Sequence, residues 1–76
     1  MDTIMNYHNL ANAIILAAVD DWRDAVKRLK RKHNNELAYK TKVECENFFL
    51  SSYFDKLTNI RGEDLLRKLK EEAGID

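Results

Sequence analysis

Apolar residues recur along the first third of the chain at Ala11, Ile15, Ala18, Trp22, Ala25 and Leu29, with spacings of 4, 3, 4, 3 and 4. That period places them on one face of a helix. Val19 and Val26 widen the stripe, and Asp20, Arg23, Asp24, Lys27, Arg28 and Arg31 lie opposite. The pattern predicts a first helix from about Tyr7 or Leu10 to Lys32. Ile14 and Leu16 add apolar surface near its start, so another element or a second subunit is expected to cover that end. Asp24 and Arg28 form an i,i+4 pair in the better orientation, and the cations cluster in the last turns, where the helix dipole favours them.

His33-Asn34-Asn35 reads as a stop followed by a cap, since Asn tolerates left-handed backbone and caps helices well. A second helix is expected from about Glu36 to Leu50, with Ala38, Thr41, Cys45, Phe48 and Phe49 inward and Leu37 and Val43 flanking. Ser51 or Ser52 is the next cap, and Ser52-Tyr53-Phe54-Asp55 has the form of a weak capping box. A short helix through about Leu57 follows. Asn59 is expected to cap the last helix, which buries Leu65, Leu66 and Leu69 and runs to about Glu72 or Ala73. Gly74 is its expected stop. There is no proline, and no period-2 stretch long enough for a strand. The expected fold is all-α: one domain over residues 1–76, a small bundle of three to four helices with a long N-terminal helix.

Four of the seven aromatic residues fall in Phe48-Phe49-Leu50-Ser51-Ser52-Tyr53-Phe54. Each buried aromatic removes about 150–250 Å² from water, so the core is expected there, with Trp22, Tyr53 and Phe54 as core residues. A 76-residue chain buries only about 60% of its unfolded surface, and domains this small are often reinforced by a disulfide, a metal or a second copy. One cysteine, Cys45, makes no internal disulfide. With His8 and His33 it matches no zinc spacing. A homodimer is therefore one expected partner state.

The net charge is zero but segregated: −3 over residues 1–26, +6 over 27–42 and −3 over 43–76. Lys27-Arg28-Leu29-Lys30-Arg31-Lys32 holds five cations in six positions, dense enough to contact phosphates or an acidic protein surface. The plain alternative is a solvated helix end. The candidate partner-binding residues are Arg23, Lys27, Arg28, Lys30, Arg31, Lys32, Tyr39 and Arg61. For Tyr39 the plain alternative is a half-buried aromatic. Against nucleic acid stands the neutral chain as a whole. The final helix carries Glu63, Asp64, Glu71 and Glu72, which would face a polyanion if it served as the recognition helix of a helix-turn-helix.

No catalytic, cofactor or metal site is expected. Cys45 is flanked by Glu44 and Glu46, the wrong environment for a reactive thiol. The carboxylate pairs Asp20/Asp24 and Glu44/Glu46 are expected on exposed faces beside cations, where nothing tunes a pKa. No glycine-rich phosphate loop is present. Ala11 to Val19 is too short to span a bilayer at about 20 residues. Met1-Asp2-Thr3 has no positive region of the kind a signal peptide needs. A cytoplasmic location is expected, with no membrane partner.

Glu46-Asn47-Phe48-Phe49, Ser52-Tyr53-Phe54, Leu57-Thr58-Asn59-Ile60 and Gly62-Glu63-Asp64-Leu65-Leu66 together resemble a set of short helical proteins of phages, prophages and mobile elements of Gram-positive bacteria. In these an E-x-F-F-x-S segment leads into an aromatic, an L-T-x-I-x-G turn and a leucine-rich helix. Ala13-Ile14-Ile15-Leu16 and Asp21-Trp22-Arg23 fit the same pattern, so the resemblance spans about residues 13–70. It implies a phage-type protein that binds a host or phage protein, such as an inhibitor of a nucleic-acid-processing defence complex of the anti-CRISPR kind. It carries over no active site. The alternative expectation is a nucleic-acid-binding accessory protein using Lys27 to Lys32.

Overall fold

The structure is a computed structural model and describes residues 3–75, with side chains from Leu10 onward. His8 and Met1-Asp2 thus lie outside the described side chains. Four helices follow in order: α1 (Thr3–Arg31), α2 (Glu36–Phe49), α3 (Ser52–Leu57) and α4 (Gly62–Ala73). The all-α bundle with a long first helix is as expected. The backbone of α1 begins earlier than its apolar stripe, because nothing in residues 3–9 breaks a helix.

α1 has 29 residues, about 43 Å at 1.5 Å per residue. It sets the long dimension of a 45 × 22 × 19 Å molecule. α2 runs antiparallel to it: Leu37 and Ala38 lie beside Asp24 and Arg28, while Cys45 and Phe48 lie beside Ile14 and Ala18. α4 runs back alongside α1, with Glu72 at Arg23 and Ala73 at Lys30. α3 is a connector lying against the N-terminal half of α1.

The core joins Ile15, Val19, Trp22 and Val26 of α1 to Cys45, Phe49, Phe54, Leu66 and Leu69. Trp22, Phe49 and Phe54 are completely buried. The rings of Phe48 and Phe49 each meet Phe54 nearly edge-on, with centroids 5.6 and 5.9 Å apart, the favourable arrangement for aromatic quadrupoles. Tyr53 is not core as expected. It is 52% exposed, because a six-residue helix turns only one of its two adjacent aromatics inward.

Local chemistry sets the joints. Asn35 caps α2, its side chain accepting from the Ala38 amide at 3.1 Å. The Ser51 hydroxyl donates to the Phe48 carbonyl at 2.6 Å and accepts from the Phe54 amide at 3.2 Å. One side chain therefore closes α2 and opens α3, and the cap is Ser51 rather than a Ser52–Asp55 box. The expected Asn59 cap is also corrected: Arg61 precedes α4 and makes no side-chain cap. Gly62 passes so close to α2 that a Cβ there would stand 1.7 Å from the Phe49 carbonyl oxygen. Gly74, at φ 73°, ends α4 in left-handed backbone. Its amide bonds Glu71 and that of Ile75 bonds Lys70, at 3.1 and 2.9 Å, a Schellman stop.

Candidate functional site

The cation-rich segment is the last two turns of α1 and the turn after it. Lys27, Arg28, Lys30, Arg31, Lys32 and His33 are all exposed. They stand at the end of the bundle where α1 stops, α2 starts and α4 stops.

Their partners divide them into two groups. Arg23 binds Glu72 of α4 through two nitrogens, at 3.0 and 2.9 Å. Arg28 binds Asp24 at 2.9 Å. The Lys30 ammonium donates to the Ala73 carbonyl, at the negative end of the α4 dipole. The first and third tie α1 to α4, while Asp24–Arg28 is an i,i+4 pair within α1. Lys27, Arg31 and Lys32 make no ion pair among the described residues, so they remain available for a partner.

Tyr39 lies one turn into α2 and is 59% exposed. The half-buried alternative is thus overturned, because the ring points away from the Ala38–Cys45–Phe49 side of the helix. Leu37, expected to flank the core, is 72% exposed. By helical register it lies on the opposite flank of α2 from Tyr39. Arg61 belongs elsewhere. It sits before α4, and that 12-residue helix separates it from the basic end by roughly 18 Å. It borders a hollow with Leu50, Asp55 and Glu63 instead.

A separate polar cluster centres on Glu46. Glu46, expected on an exposed face, is half-buried, accepting from the Trp22 indole at 2.9 Å and pairing with Lys42 at 2.9 Å. Trp22 is wholly buried, so its N–H must find an acceptor inside. Burial alone would raise the Glu46 pKa. The hydrogen bonds from Trp22 and Lys42, with the charges of Lys42 and Lys70, outweigh it and hold the pKa below its ordinary value. A depressed folded-state pKa means stability that is present above the unfolded value of about 4.3 and lost as pH falls below it. Glu46→Gln is therefore expected to cost about 1–2 kcal/mol at pH 7 and to flatten the decline between pH 5 and 3. Urea denaturation across that range, read by the single tryptophan, checks it. Parallel pH profiles for the two proteins would refute the assignment.

Cys45 is buried, and burial first, then Asp21, Glu44 and Glu46, push its thiol pKa up. A thiol held neutral is a poor nucleophile. Among the described residues no three His, Cys, Asp or Glu side chains are grouped to hold a metal. No described helix is long and apolar enough to cross a membrane. Comparison with protein-family models, curated proteins and solved structures finds no match.

Proposed function

We propose that this chain is a non-enzymatic, phage- or prophage-type protein-binding module of the bacterial cytoplasm. It acts as an inhibitor of a host or defence protein, in the manner of anti-CRISPR proteins, by occupying a surface of its target. The observation that carries this reading is the division of cations at the end of α1. Arg23, Arg28 and Lys30 are consumed by the fold, while Lys27, Arg31 and Lys32 project without partners among the described residues. A rigid helix end presents them, and Tyr39 supplies the exposed aromatic typical of interface anchors. The resemblance of residues 13–70 to phage proteins supports the same reading.

The same three cations also suit phosphates, so a nucleic-acid accessory role is the second reading. The same end of the bundle carries exposed carboxylates at Asp24, Glu36 and Glu72. A polyanion would meet those carboxylates, whereas an acidic protein patch can be shaped to avoid them.

The test is capture from a Gram-positive bacterial lysate after nuclease treatment. The protein is compared with its Lys27→Glu/Arg31→Glu/Lys32→Glu variant. The expected result is a protein retained by the native chain and lost by the variant, with affinity reduced at least about a hundredfold, since reversed charges at a docked patch repel. Arg61→Glu should leave capture unchanged. Recovery that vanishes with nuclease would favour the nucleic-acid reading.

A further inference from the structure

The α1 stripe at Ala11, Ile15, Ala18 and Trp22 faces the core. One position round the helix lies a second seam, Leu10, Ile14, Ala17 and Asp21, with spacings of 4, 3 and 4. This seam is open. Leu10 is 59% exposed, Ala17 and Asp21 are exposed, and Ile14 is half-buried.

The seam forms the floor of two adjoining grooves that share Ile14. One is walled by Phe48 and Glu44 of α2, the other by Tyr53, Lys56 and Leu57 of α3. The rings of Phe48 and Tyr53, 6.0 Å apart, join the two walls. The result is a continuous apolar trough along α1 with a cation, Lys56, at one end and two acids, Asp21 and Glu44, at the other. None of these three makes an ion pair among the described residues.

We propose that a second copy of this chain occupies the trough, with the two α1 helices antiparallel about a two-fold axis midway between Ile14 and Ala17. A two-fold interface must be complementary to itself, and this trough meets that condition in one orientation. Run antiparallel, a seam with spacings 4, 3 and 4 maps onto itself. Ile14 falls opposite Ala17 of the second copy, a large residue against a small one, so the helices approach closely. Lys56 falls at the end that carries Asp21 and Glu44 of the second copy. Run parallel, like charges meet instead. A chain of this size also gains most from a second copy, because its own core is limited. The trough is distinct from the cation cluster, so the inference does not rest on the proposed function.

Sedimentation at tens of micromolar protein tests it. The native chain is expected to sediment as a dimer. Ala17→Glu, an exposed helical position given a good helix former, should yield a monomer with unchanged helical circular dichroism. Lys56→Glu and Asp21→Lys should each weaken the dimer by about tenfold or more, and the combined reversal should restore most of it. A native monomer at these concentrations, or a dimer indifferent to Ala17→Glu, would overturn the proposal. Failure of the combined reversal to rescue would overturn the antiparallel arrangement.

Discussion

Gly62→Ala is expected to destabilise the protein by about 3–5 kcal/mol, although helix propensity alone predicts a gain of about 1 kcal/mol at a helical glycine. The two effects have opposite signs, and the contact decides. A Cβ at position 62 would overlap the Phe49 carbonyl oxygen at 1.7 Å and its carbon at 2.8 Å, with the Phe54 ring at 3.4 Å. The first two are backbone atoms of the last turn of α2, which is itself held by the Ser51 stitch. Relief requires α4 to move away from α2, and with it the packing of Leu66 and Leu69 on the core. Overpacking of this kind costs about 1–3 kcal/mol when side chains can yield, and more when backbone must. A 76-residue domain has roughly 4–11 kcal/mol of stability in all. Urea denaturation of the alanine variant should therefore show a large drop in midpoint or no folded baseline. A change under about 0.5 kcal/mol would mean that α2 and α4 do not meet at this glycine.

Phe54→Ala is the second large effect, expected at about 3–5 kcal/mol. Phe54 is the only buried residue of α3 and is fully enclosed. It contacts the rings of both Phe48 and Phe49. A six-residue helix has no stability of its own, so α3 exists because this ring anchors it. Removal leaves a cavity between α2 and α4 and frees the segment from Ser51 to Arg61. Hydrogen exchange should show loss of protection there ahead of the α1–α2 pair. Asp55→Ala, at an exposed position in the same helix, should change stability by less than about 0.5 kcal/mol. Equal effects from the two substitutions would contradict the anchoring role.

Features decided by neighbours in sequence are readable along the chain. The stripe from Ala11 to Leu29, the Asn35 cap and the Gly74 stop each depend on one helix or one turn, and periodicity and capping preference report them directly. What depends on distant segments is hidden. Tyr53 and Phe54 are adjacent aromatics, and only the docking of α3 determines which one turns inward. Gly62 reads as a turn residue, while its constraint comes from a carbonyl 13 positions earlier. Glu46 looks like a surface acid until Trp22, 24 residues away, needs an acceptor for its indole.

The cation cluster shows the same split. Its density is plain in the sequence, and Asp24–Arg28 is predictable from spacing. The Arg23–Glu72 pair and the Lys30–Ala73 contact span 49 and 43 residues. Only tertiary structure separates Arg23 and Lys30, which brace α1 against α4, from Lys27, Arg31 and Lys32, which make no ion pair among the described residues. Arg61 shares only its charge with them, and α4 separates it from the basic end.

The claim that the basic end meets a protein rather than a nucleic acid is tested most directly by titrating the native chain into labelled duplex DNA and single-stranded RNA over a salt series. With three unpaired cations at an end that also carries exposed carboxylates, binding is expected to be no tighter than about 10⁻⁵ M at physiological salt, within the non-specific range. Sub-micromolar binding, falling with a log–log slope of about −3 or steeper and abolished by reversing Lys27, Arg31 and Lys32, would contradict it.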